Sequence, residues 1–296
     1  MLSLSIPKLE DDDPDLIMER KIYAILKEYL QPDSTTAPET AAKGIDQFLP
    51  AKRPDLGVKI EPVGAFLPNL WDLFMDIARQ IPSDHESQDR LVKLVDALSQ
   101  LPSTVEIIWG GEARVWADLP LIGEEMLEFC DSPLYRASLG NDTIPSPEKA
   151  TAYINLTSYA ARLLGTHDMI SWFWMPIYEL RMGLETQLWR EMHPPRLDCY
   201  VSLYAEWVLH SGVWVFRKFR GKNSEGDGLK GPLYKGVCYS EERWEYWEKC
   251  LADIHENGEG KVNEKTTKLA GMTKERMEDI RKNYVDESDD EEDDSE

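Results

Sequence analysis

The chain has 296 residues, is 42% hydrophobic and 30% charged, contains 10 tryptophans, and carries a formal net charge of −22 at pH 7. That length accommodates one large domain or two small ones, and burying large side chains such as Trp stabilises a core by about 2–3 kcal/mol apiece. The charge excludes nucleic-acid binding through phosphate contacts, which needs a basic surface.

The N-terminal stretch MLSLSIPKLEDDDPD is briefly apolar and then acidic. It lacks the basic start and longer apolar run of a signal peptide, so residues 1–13 are expected to be a flexible acidic lead-in to a cytoplasmic or nuclear protein. Helical periodicity follows. In DLIMERKIYAILKEYL the residues Ile22, Tyr23, Leu26, Tyr29 and Leu30 share one stripe. APETAAKGIDQFL predicts a short helix with Thr36 as its cap, and the stretch from Ala51 to Phe66 has no period and reads as loop. Leu70, Leu73, Phe74 and Ile77 mark a third helix, and Leu91, Leu94, Val95 and Leu98 a fourth that Ser83 would cap.

STVEIIWGGEARVWADLP is the one segment with strand character, and Gly110-Gly111 offers a hairpin turn. Helices resume in LIGEEMLEFCD, in YINLTSYAARLLG after Ser146-Pro147, and in MISWFWMPIYELRMGLETQLWREM, where Pro176 either kinks the helix or marks its first turn. The longest apolar helix runs from Leu197 to Phe219 after a proline start. GKNSEGDGLKG is a polar loop, and the charged stretch from Val262 to Tyr284 predicts helices that pack on the surface. The final DESDDEEDDSE has nine acidic residues and no base, and without it the chain still carries −13. Such a run cannot bury a core and is expected to be disordered.

GPLYKGVCYSEERWEYWEKCL, Gly231–Leu251, opens like a phosphate-binding loop. Gly231 and Gly236 have the spacing, but Val237 and Cys238 stand where Lys and Ser/Thr belong, and the preceding element is helical. A structural corner is expected instead: Leu233 and Tyr234 anchor it, Ser240 caps the next helix, and Trp244, Trp247, Leu251 and Ile254 face inward.

In the long apolar helix, Asp198, Ser202, Glu206 and His210 recur every four residues and form one polar line. A buried carboxylate needs a partner, and Arg181 or Arg162 would serve Glu206. The same line would also serve as the wall of a pocket, with Glu206 and His210 as an acid/base or metal pair. No HExxH, GxSxG or CxxC motif occurs, so no metal, cofactor or catalytic residue is assigned. Of the four cysteines, Cys130, Cys199 and Cys250 sit among apolar neighbours and Cys238 is expected to be the exposed one. No segment reads as a membrane span. Ser288, followed by Asp289, Asp290 and Glu291, suits an acidophilic kinase of the casein-kinase type, and the acidic run reads as a solubilising tail or, alternatively, as an arm that docks a basic protein.

Five blocks, WADLP (Trp116–Pro120), NLTSYAARL (Asn155–Leu163), ELRMGLE (Glu179–Glu185), YAEWVLHSG (Tyr204–Gly212) and GPLYKG…RWEYW (Gly231–Trp247), together resemble a family of filamentous-fungal proteins of unknown function. The resemblance spans roughly Trp116 to Leu251. It implies an intracellular, mostly helical protein and no activity, and it makes Arg181, Glu185 and Trp207 structural positions.

The expectation is therefore an all-α fold. One helical domain over 14–284 has an aromatic core and at most one hairpin, with the acidic tail at 285–296. The expected function is a non-enzymatic scaffold or protein-interaction module. The alternative is a small-molecule binder or enzyme with a pocket of Arg181, Tyr204, Glu206, Trp207 and His210, together with Trp174.

Overall fold

The structure, a computed structural model, describes residues 1–11, 13–53, 60–129, 146–166, 172–220 and 230–285. Ser288 and the rest of the acidic run, Cys130, and most of the polar stretch from Gly221 to Lys230 lie outside the described residues. The fold is all-α, with one two-stranded antiparallel hairpin among the described residues. The chain divides into two compact units, Met1–Tyr135 with Pro147–Leu163, and Arg136–Ser146 with Leu164–Glu296.

The first unit holds α1 (Ile17–Tyr29), α2 (Pro38–Asp46), α3 (Val63–Ala78), α4 (Ser87–Ser99), the hairpin β1 (Val105–Ile108) and β2 (Gly111–Arg114), α5 (Ile122–Phe129) and most of α6 (Pro147–Thr166). Residues 1–11, expected as a flexible lead-in, are anchored: Leu4, Ile6 and Leu9 are buried, and the Tyr23 hydroxyl donates to the Leu4 carbonyl at 2.7 Å. Their alternating apolar side chains supply burial that a count of acidic residues hides.

Helix starts differ from the expected ones in three places. Ala37, not Thr36, precedes α2, and Pro38 at the first position has no N–H that would need an acceptor; the Thr36 hydroxyl donates to Glu28 Oε1 instead. The helix α3 begins at Val63, inside the stretch expected as loop, after the extended Pro62. The fourth helix begins at Ser87 rather than beside Ser83, whose carbonyl accepts from Ser158 Oγ and Arg162 Nη2.

The hairpin turns through Trp109 (φ 51°) and Gly110 (φ 86°), with Ile108 opposite Gly111. Two successive left-handed residues in a two-residue loop make the turn that matches strand twist. Gly110 suits it, whereas Trp109 pays the steric penalty of a Cβ at positive φ. Ile108 faces the core, and Val105, Ile107 and Trp109 are 62%, 67% and 71% exposed.

The second unit holds α7 (Trp174–Leu184), α8 (Pro194–Arg220), α9 (Glu241–Asn257) and α10 (Glu264–Asn283). Pro176 sits in the first turn of α7, where its missing N–H costs nothing. That helix ends at Leu184, and only a single 3-10 turn, Trp189–Glu191, follows before α8, so the long helix expected there is two pieces. Around α8, the rings of Phe216, Phe219, Trp244 and Trp247 meet at centroid distances of 5.0–6.4 Å. Most of these pairs are edge-to-face, the arrangement ring quadrupoles favour.

The charged α10 is not peripheral. It packs on both α8 and α9, buries Met277 and Ile280, and accepts the Trp244 indole N–H on the Met277 carbonyl at 3.1 Å. Glycine permits the approach: a Cβ on Gly212 would lie 2.6 Å from Ile280 Cδ1.

Candidate functional site

The corner at Gly231 is organised by a carboxylate from the protein. Glu185, the residue ending α7, accepts from Arg243 Nε at 2.6 Å and Nη2 at 3.1 Å, from the Gly231 N–H at 2.7 Å, and from Trp247 Nε1 at 2.8 Å. Both side chains of the pair are fully buried. Arg243 Nη1 also donates to the Cys238 carbonyl at 2.8 Å. A Cβ on Gly231 would lie 2.5 Å from Glu185 Cβ, so only glycine fits.

Four donors saturate this carboxylate, and a saturated buried ion pair works as a structural clamp. Lys235 is exposed at the corner. Ser240 caps α9 by accepting from the Arg243 N–H, and Trp244, Trp247, Leu251 and Ile254 are buried, as their spacing predicts. Cys238 is buried, not exposed, because its loop is drawn under Arg243. Burial pushes the Cys199 thiol up to about 12 and the Cys250 thiol up to about 11, which keeps both protonated and unreactive.

The polar line along α8 divides by its partners. Asp198 Oδ1 accepts from Thr266 Oγ1 at 2.6 Å, and Ser202 Oγ donates back to the Asp198 carbonyl. Glu206 Oε2 lies 3.4 Å from His210 Nε2, with the two side chains 15% and 28% exposed. Arg162 is engaged with Asp89 at 2.7 Å, and the Arg181 guanidinium lies over the Tyr178 ring at 5.3 Å.

Tyr204 and Trp207 are buried, and neither the Tyr204 hydroxyl nor the Trp207 indole N–H has a hydrogen-bond partner among the described residues. Tyr204 stacks on Tyr200 at 5.9 Å, and burial raises its phenol well above the usual range. Of the five residues expected to share a pocket, the structure joins Glu206 to His210, and His210 alone lines the open cleft of this unit.

That cleft, about 440 Å³, lies between the C-terminal halves of α8 and α10. Its ionisable groups are Arg217, His210, Arg276 and Asp279, and its apolar wall includes Leu209, Val213 and Trp214. Gly165, at the end of α6, closes one side, where a Cβ would lie 2.0 Å from the His210 carbonyl oxygen. Asp279 is occupied by Arg276 at 2.7 Å and by Asn283 Nδ2 at 2.6 Å. Arg217 is exposed and makes no ion pair among the described residues. Lys218 stands over the Trp214 ring at 4.7 Å.

In a chain of net charge −22, the uncommitted Arg217 beside exposed aliphatic side chains suits a ligand with a carboxylate and an apolar body. The described residues contain no cluster of three or more metal-ligating side chains, and no described helix is long and apolar enough to cross a membrane.

Two juxtapositions were missed in the sequence: Glu185 with Arg243, and Arg217 with Arg276 in the lining of one cleft. A signal for the first was present. Arg243 precedes Trp247 by four residues, so an arginine stands on the inward stripe of α9 and must have a buried anion.

These features define an all-α protein with a clamped aromatic core and an open cleft that holds an arginine with no ion pair among the described residues. The chain belongs to the family described as "Protein of unknown function (DUF3632)", which matches residues 71–251. No curated protein matches it. No solved structure matches it either.

Proposed function

We propose that this protein is a non-enzymatic interaction module whose α8/α10 cleft receives an acidic peptide segment carrying an apolar or aromatic side chain. The observation that carries this reading is the convergence of Arg217 and Arg276 with the exposed Leu209 and Val213 around an open volume of about 440 Å³. Arg217 supplies an uncommitted charge, and the aliphatic wall supplies dehydration.

A second reading rests on the Glu206–His210 contact at the cleft: a carboxylate that orients an imidazole is half of an acid/base relay. The binding reading is preferred because Ser211, the hydroxyl next to His210 in the cleft wall, is buried and its Oγ donates to the Trp207 carbonyl at 2.9 Å.

The test is titration of the full chain with a dye-labelled acidic aromatic peptide and with its lysine-substituted counterpart, read by anisotropy. Saturable binding of the acidic peptide alone is expected, weakened at least about tenfold by Arg217→Glu and by raised salt. Equal binding of both peptides, or indifference to Arg217→Glu, would sink the reading.

A further inference from the structure

The hairpin of the first unit ends in a side chain that neither its turn nor its core explains. Trp109 occupies a left-handed position that Asn or Gly fills without strain, and its ring is 71% exposed. Exposed to that extent, Trp109 buries little within its own fold. Val105 and Ile107, four and two positions before it on β1, are also more than half exposed.

Pairing in the sheet places Glu112 opposite Ile107, so a carboxylate stands on the same face as that apolar row. Glu112 makes no ion pair among the described residues, whereas Arg114 on this face is already tied to Asp118 at 2.6 Å. The tip therefore presents an indole, an aliphatic strip and a free carboxylate.

The cleft between α8 and α10 carries the complementary set: Arg217, which makes no ion pair among the described residues, for the carboxylate, and Leu209, Val213 and Val285, 40%, 50% and 73% exposed, for the indole and the aliphatic strip. Its volume of about 440 Å³ admits an indole ring with its neighbours. We infer that the Trp109 finger of one copy docks in the α8/α10 cleft of a second copy, giving a heterologous self-association of this chain. The inference rests on the reading of that cleft as a peptide-binding site and names its occupant.

Sedimentation velocity of the full chain from about 1 μM to about 1 mM, the range in which small interfaces associate, tests it. The expected result is a sedimentation coefficient that rises with concentration. Trp109→Asn, which suits the turn and preserves the hairpin, should weaken association at least about tenfold, and so should Arg217→Glu.

Mixing the two variants supplies the decisive arm. Each retains the half the other lacks, so the mixture should recover a one-to-one complex that neither forms alone. A chain that stays monomeric throughout overturns the inference. So does association that Arg217→Glu leaves intact, or a mixture that fails to complement, as hairpin-to-hairpin pairing would give. If the labelled acidic peptide still binds the cleft while the chain stays monomeric, the self-docking fails and the peptide-binding reading stands. If the peptide fails as well, both fall.

Discussion

Arg243 and Glu185, 58 residues apart, meet side by side at 2.6 Å with neither side chain exposed to solvent. The pair ties the end of α7 to the first turn of α9 and fixes the corner at Gly231 between them. Breaking one partner strands a buried charge, so Glu185→Gln and Arg243→Met are each expected to lower unfolding stability by about 3–5 kcal/mol. Replacing both with apolar residues should recover much of that loss. Denaturant unfolding of the two single variants and the double variant checks it; additive losses would show that the pair does not act as a unit.

Gly183 and Tyr204 form a second dependence. A Cβ on Gly183 would lie 1.4 Å from the Tyr204 hydroxyl oxygen, and that hydroxyl has no hydrogen-bond partner among the described residues. Gly183→Ala is expected to cost about 1–3 kcal/mol through overpacking. Tyr204→Phe removes an unsatisfied buried hydroxyl and should leave thermal stability unchanged or raised. It should also soften the Gly183→Ala defect when the two are combined. A large loss on Tyr204→Phe alone would mean that the hydroxyl is satisfied in solution.

Glu125 on α5 supplies a pH dependence. Burial, followed by a hydrogen bond with Asp72 on α3, raises its carboxyl to about 7. The folded chain therefore keeps a proton that the unfolded chain releases near the ordinary value of 4.5. Between these values the folded state binds more protons, so stability falls as pH rises through that window. Glu125→Gln should abolish this decline and gain most, relative to the parent, above pH 7. Melting temperatures taken from about pH 4.5 to about pH 8 decide it; an unchanged slope in Glu125→Gln would assign the decline elsewhere.

At the hairpin, Trp109→Asn replaces a residue strained at φ 51° with one that tolerates the left-handed region. The fold should gain about 1 kcal/mol, measured by denaturant midpoint at concentrations too low for association. A loss would show that the ring packs within its own copy.

Much of this architecture is legible in residue order. The stripes Ile22, Leu26, Tyr29 and Trp244, Trp247, Leu251 are buried as helical spacing requires, and Ser240 caps α9 as its hydroxyl suggests. These are local consequences of the 3.6-residue period and of capping geometry, which a short window contains. The helix starts at Val63 and Ser87 were not legible, because Pro62 and the carbonyl of Leu30, which accepts from Ser87 Oγ, act from outside the pattern.

The sites belong to the other category. Sequence alone identified His210 beside Glu206, four residues apart on one helix. Only tertiary structure decided that Glu185, and not Glu206, receives the buried arginine, and that Arg217 shares a cleft with Arg276. Helical spacing determines which side chains share a face. Which charges meet across faces depends on how closely glycines such as Gly212 and Gly231 let neighbouring segments approach, and that is settled only when the helices pack.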